Sequence, residues 1–96
     1  MGIGVYDNLY LTLSPNPATD EVTLQLMETD EVSGLSVLST DRSPYEIQLW
    51  SGMTMLRSFR TNEPTFQIPM AGLPAGLYFV RVVKDGQTYT QKLIKK

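Results

Sequence analysis

Apolar and polar positions alternate with a period of two along almost the whole chain, and no 3.6-residue stripe of a helix emerges. Leu9, Leu11 and Leu13 alternate with Tyr10 and Thr12, the pattern of a half-buried strand. "SPNPATD" ends it, because Pro15 and Pro17 have no N–H for a ladder and Asn16 and Asp20 favour turns. Val22, Leu24 and Leu26, alternating with Thr23 and Gln25, predict a second strand. Residues 28–44 are polar and acidic apart from "GLSVL" and read as a long connection with one short strand near Leu35 to Leu38. "YEIQLW" then sets Tyr45, Ile47 and Leu49 on one face and Glu46, Gln48 and Trp50 on the other. Ser51-Gly52 is a turn signal leading into "MTMLRSFR" as a hairpin partner. Phe66 and Ile68 mark a short strand before Pro69, "AGLPAG" is a loop, and "LYFVRVV" and "QTYTQKLI" flank Asp85-Gly86. Asp-Gly between alternating runs is the strongest short-range hairpin signal.

A two-residue Asp85-Gly86 loop fixes the register of that last hairpin. Lys84 falls opposite Gln87, Val82 opposite Tyr89, Val80 opposite Gln91, Phe79 opposite Lys92 and Tyr78 opposite Leu93. Tyr78, Val80, Val82, Tyr89 and Leu93 share the expected core face, interrupted by Gln91 and, near the turn, by Lys84 and Gln87. The other face is amphipathic, with the stems of Arg81 and Lys92 able to lie over Phe79. About seven short antiparallel strands with turn signals at near-regular spacing argue for an all-β, immunoglobulin-like sandwich. The last strand is expected in one of the two sheets, with an edge position left open.

Composition narrows the function classes. Ninety-six residues allow one domain with a modest core. Hydrophobic content is 42% and charged content 19%, a globular balance, and the net charge of -2 gives no basic excess to attract nucleic acid. No apolar run approaches the roughly 20 residues that span a bilayer, so no membrane insertion is expected. The start, "MGIGVYDNLYLTL", lacks the basic and apolar regions of a signal peptide. Residues 1–8 are therefore read as an artificial start or a linker from a parent protein, and residues 9–96 as the domain. Cysteine and histidine are both absent, which removes Cys/His zinc sites, thiol nucleophiles, Ser-His-Asp triads and disulfides.

Little in the chain offers chemistry. The carboxylate pairs Asp20-Glu21 and Asp30-Glu31 fall in turns or strand starts, and neighbours on a strand face opposite ways. Solvated turn carboxylates are preferred over a catalytic pair, because raised pKa values need burial. Asp7, Asp20, Asp30 and Asp41 could offer oxygens to calcium, but no loop has the alternating-oxygen spacing of a calcium motif, and no metal or cofactor is assigned. "AGLPAG" precedes a strand and so is not a phosphate-cradling loop. Trp50 is weighed as an exposed binding platform and, preferred, as a residue packed under the long acidic connection. Lysines on the closing "TQKLIKK" are ordinary protection of an edge strand against aggregation.

"LSPNPATDEVTLQL", "YEIQLWSGMTMLRSF" and "LPAGLYFVRVVKDGQTYTQKLIKK" together resemble the type A C-terminal sorting domain of the type IX secretion system of Bacteroidetes, from about Leu9 to Lys96. The family's Asn-Pro motif falls on Asn16-Pro17, with Pro15 before it, and its central turn glycine on Gly52. Its Leu-Pro-x-Gly-x-Tyr falls on Leu73, Pro74, Gly76 and Tyr78, and its terminal lysines on Lys92 and Lys96. Two departures concern surface connections: a longer stretch from Met27 to Pro44, and Met53 where a polar or basic residue is usual. The resemblance implies an immunoglobulin-like fold and a signal, not an enzyme. It implies recognition by an outer-membrane translocon and its shuttle protein, removal by a sortase-like cysteine protease, and cargo domains N-terminal to it in a parent chain. The path runs through the periplasm to the cell surface or beyond.

The residue types expected to be read are Gly76, Tyr78, Lys92 and Lys96, with Asp85 and Gly86 as a structural turn. Lys92 and Lys96, four apart on a strand, face the same way at roughly 13 Å. The alternative from another class is a carbohydrate-binding or adhesive module of a secreted enzyme using Trp50, followed by a passive spacer; an enzyme ranks last. An edge-strand dimer is left open.

Overall fold

The computed structural model describes residues 9–29, 34–39 and 43–96. Alternation becomes eight strands: β1 (Leu9–Ser14), β2 (Glu21–Thr29), β3 (Ser36–Leu38), β4 (Tyr45–Ser51), β5 (Thr54–Thr61), β6 (Thr65–Pro69), β7 (Gly76–Lys84) and β8 (Gln87–Lys95). The short β3 is the strand expected near Leu35 to Leu38, and the eight strands fit the expected count of about seven. All strand pairs are antiparallel and form two sheets. In sheet I, β2 is central, with β1 on one side. On its other side β6 covers Glu21 to Gln25 and β3 covers Met27 to Thr29. Sheet II runs β5-β4-β7-β8. The result is an all-β sandwich of the immunoglobulin-like kind.

The core lies between the sheets because every second side chain faces it. Val22, Leu24 and Leu26 of β2 meet Tyr45, Ile47 and Leu49 of β4 and Tyr78, Val80 and Val82 of β7 in one buried cluster, joined by Leu11, Ile68 and Leu93. Phe59 and Phe66, 5.2 Å apart between ring centroids, close the β5–β6 side. The β7–β8 register is the expected one: Lys84 opposite Gln87, Val82 opposite Tyr89, Phe79 opposite Lys92 and Tyr78 opposite Leu93. Asp85 (φ 51°) and Gly86 (φ 77°) both have positive φ, as a two-residue type I′ loop demands.

Two expectations are corrected. Lys84, expected as a polar interruption near the turn, is only 3% exposed. Its ammonium donates to the Ser43 carbonyl at 3.0 Å and the Ser43 hydroxyl at 2.7 Å, and lies 5.6 Å from the centre of the Tyr45 ring. The long stem lets an inward-facing position carry a charge to polar partners at the rim. Trp50 does not pack under the described part of the acidic connection. The described part of that connection, residues 34–39, joins sheet I through β3. Trp50 is half-buried on the outer face of sheet II, with the Arg81 guanidinium carbon 4.9 Å from its ring centroid. Residues 1–8, and with them Asp7, lie outside the described residues, as do Asp30, Glu31 and Asp41.

Candidate recognition surface

β4 ends, β7 begins and β8 ends at the same end of sheet II, so Gly52, Gly76 and Lys96 gather there from distant parts of the chain. The loop between β1 and β2 reaches the same place. The side-chain amide of Asn16 donates from Nδ2 to the Lys92 carbonyl at 3.0 Å, and the Ile94 N–H donates to Asn16 Oδ1 at 3.1 Å. One residue pair further along, the Ala18 N–H donates to the Ile94 carbonyl at 2.7 Å and the Lys96 N–H to the Ala18 carbonyl at 2.9 Å. Ala18 and Lys95 form a parallel bridge.

A primary amide offers a donor and an acceptor side by side, as a peptide group does. Asn16 therefore stands in for a ladder residue between two prolines that cannot donate. Both the Ser14–Pro15 and Asn16–Pro17 bonds are cis. The outer edge of β8 is thus closed at Lys92, Ile94 and Lys96. Ladder hydrogen bonding continues to Lys96, one residue beyond the strand.

The Leu73, Pro74, Gly76 and Tyr78 motif builds the adjacent corner. Tyr78 is 4% exposed and its hydroxyl donates to the Pro74 carbonyl, tying the loop to the core from below. Leu73 packs against the core and its N–H donates to the Met70 carbonyl at 3.2 Å. Gly76 has φ +151°, and a Cβ there meets no atom within 4 Å, so the backbone dihedral and not crowding calls for glycine. Touching the Tyr78 side chain would require opening the core. What the motif fixes is the shape of the corner.

Lys92 and Lys96 are exposed, and the register places Lys92 next to Phe79 and Phe79 next to Trp50. The Asp85-Gly86 turn lies at the far end of the hairpin and joins none of these residues. Asn16 as a clamp, Arg81 on Trp50 and buried Lys84 were all missed from sequence. The one signal for the clamp was an amide held between two prolines.

Charge is divided between the sheets. The strands of sheet II carry Arg57, Arg60, Arg81, Lys84, Lys92 and Lys95 against the single carboxylate Glu46. The strands of sheet I carry Glu21 and Glu28 and no base. Away from this end, the Tyr45 hydroxyl donates to the Glu63 carbonyl. Burial first, and the Glu63 carboxylate second, push the Tyr45 pKa up to about 12. Neither the inward tyrosines nor the exposed lysines form a catalytic constellation.

Comparison with known proteins gives the family of the chain. Residues 12–96 match the family described as "Secretion system C-terminal sorting domain". Over 85 residues, 88% of this chain, the sequence is 92% identical to Karilysin of Tannerella forsythia. The match spans 18% of that relative's length.

Proposed function

The chain belongs to the family of secretion system C-terminal sorting domains, and from that premise we propose that it carries its parent protein through the type IX system across the outer membrane and is cut off on export. The domain is a signal on a secreted protein and has no catalytic part in the process. Its partners are an outer-membrane translocon, a shuttle protein and a sortase-like cysteine protease, and its cargo lies N-terminal to it in the parent chain. The cargo crosses the periplasm before reaching the cell surface or the medium. The family match is what supports a secreted parent.

The observation that carries the proposal is the meeting of the family's separated motifs at one end of sheet II. Asn16 holds Lys92 and Ile94 by their backbones, and Tyr78 holds the corner at Pro74. A folded signal is legible only through its surface, and here a strand kept in place displays Lys92 and Lys96 outward. Gly76 shapes the corner that borders them. Lys92 and Lys96 are the side chains that the machinery contacts, while Tyr78 acts by holding the loop. The carbohydrate module is disfavoured because Arg81 occupies a face of Trp50 that a sugar would need.

Fusing residues 1–96 behind a fluorescent protein targeted to the periplasm of a type IX-competent host tests the proposal. Fluorescence on the surface or in the medium is expected, and fluorescence held in the periplasm overturns it. Within the same assay, Lys92→Ala with Lys96→Ala is expected to reduce export. Unchanged export would remove the lysines from the signal.

A further inference from the structure

The outer face of sheet II carries a row of side chains across all four strands. The register aligns Met55 of β5, Trp50 of β4, Phe79 of β7 and Lys92 of β8. Beside the row, Leu77 and Ile94 are paired and 48% and 45% exposed. On its other side Arg81 lies over Trp50, whose indole N–H donates to Gln48 Oε1 at 2.9 Å. Trp50, Gly52, Phe79, Arg81 and Thr90 wall a shallow depression of about 300 Å³.

Two features of this face point to a ligand. Arg81 Nε is buried without a hydrogen-bond partner, although the residue as a whole is only half-buried. Among the described residues Arg81, Lys92 and Lys96 form no ion pair. The nearest carboxylate on these strands, Glu46, sits two residue pairs beyond the Gln48–Trp50 stretch, opposite Arg60. Water-facing sheet surfaces are ordinarily polar, whereas aromatic residues, methionine and arginine are the types enriched at the centres of protein interfaces.

We infer that this face is the docking site for an extended acidic segment of a protein partner, its apolar side chains lying on Met55 and Phe79 and its carboxylates meeting Lys92 and the Arg81 that covers Trp50. Stacking on Trp50 holds the planar guanidinium in place before binding, and its fork of N–H donors matches a carboxylate with two parallel hydrogen bonds. Lys92, across Phe79, offers a second positive charge. An anionic lipid surface fits less well, because the chain as a whole is negative, at -2, and sheet I contributes only carboxylates from its strands. The inference rests on the sorting-signal function and names the chemistry of what reads the signal.

Trp50 is the sole tryptophan, so its emission reports on this site alone. The probes are the blocked peptide acetyl-Glu-Leu-Glu-Phe-Glu-amide, its all-glutamine counterpart, and phosphatidylcholine vesicles containing phosphatidylglycerol. The acidic peptide is expected to change Trp50 emission saturably. Arg81→Gln should weaken that binding roughly tenfold or more, the loss of one charge-assisted two-point contact. The glutamine peptide should have no effect.

In the reporter fusion, Arg81→Glu is expected to retain the cargo in the periplasm and Arg81→Lys to restore part of the export, with melting temperatures close to that of the unmodified domain. A response to vesicles but not to the acidic peptide overturns the inference in favour of a lipid surface. Undiminished export of Arg81→Glu, in a host that exports the unmodified fusion, overturns it while leaving the sorting function standing. Failure of the unmodified fusion to leave the periplasm instead overturns the sorting function itself.

Discussion

Along β8 the outer backbone edge is occupied at Lys92, Ile94 and Lys96 by Asn16 and Ala18, whereas β5, at the opposite margin of sheet II, pairs among the described residues with β4 alone. The side chain of Arg57 reaches from β5 to the Pro69 carbonyl at 2.8 Å, a contact that ties it to β6 without extending a ladder. Lysines usually guard an open strand edge. Here they cluster at the filled edge, while the open one carries no lysine at all. At Lys92 and Lys96 the backbone edge is already taken by Asn16 and Ala18, so these two lysines have no open ladder position of their own to guard. An ordered strand with its lysines turned outward is what a recognition element needs, and the β1–β2 loop supplies that order from 76 residues away.

The comparison can be broken most forcefully at the inner face of β8. Leu93→Ala is expected to cost about 2–5 kcal/mol, the usual penalty for emptying a buried leucine site, because Leu93 has no exposed surface. Ile94→Ala, one residue on and facing outward, should cost under roughly 1 kcal/mol. Denaturant midpoints measure both, and equal costs would contradict the assignment of faces.

On the β5 side, Tyr45 gives a pH-dependent handle. Its folded-state pKa is raised from 10.0 to about 12, so the folded protein holds the phenolic proton more tightly than the unfolded chain does. That contribution is fully present below pH 10 and is lost as pH rises through 12, for a total of roughly 2–3 kcal/mol. Tyr45→Phe removes this component, so its stability should fall less between pH 10 and pH 12 than that of the unmodified protein. Parallel alkaline curves would show that the hydroxyl is not held neutral.

Weaker still, Asn16→Ala deletes two hydrogen bonds at an exposed site and should cost about 1–2 kcal/mol by thermal or denaturant unfolding. An equivalent loss is not expected from Arg57→Gln, whose single exposed contact should be worth less than roughly 1 kcal/mol. If Arg57→Gln proved the more damaging, β5 and not β8 would be the margin that the chain secures.

How far these features were legible in sequence depends on the range of the signal. The β7–β8 hairpin was fully legible because Asp85-Gly86 admits one tight turn, and period-two counting from it assigns every partner up to Tyr78 and Leu93. The inward set Tyr45, Ile47 and Leu49 was legible for the same reason. At Lys84 the parity of the strand and the charge of the residue pointed in opposite directions. Parity prevailed because Ser43 and the Tyr45 ring lie within reach of the ammonium. For Trp50, local pattern gives its face but not the sheet that the described part of a distant connection joins. Asn16 was legible as a turn former, yet nothing near it announces β8 as its partner. The charge division between the sheets likewise appears only once strands are assigned to sheets.

Amide hydrogen exchange at Ile94, compared between the unmodified domain and Asn16→Ala, tests most directly whether the early loop fixes the terminal strand for display. Protection of the Ile94 N–H is expected in the unmodified domain and a loss of roughly tenfold or more in the variant, as befits a local opening made easier by 1–2 kcal/mol. Amides of the central pair, such as those of Ile47 and Val82, should keep their protection relative to global stability. An Ile94 amide that exchanges equally fast in both proteins, or no faster in Asn16→Ala once global stability is allowed for, would contradict the account.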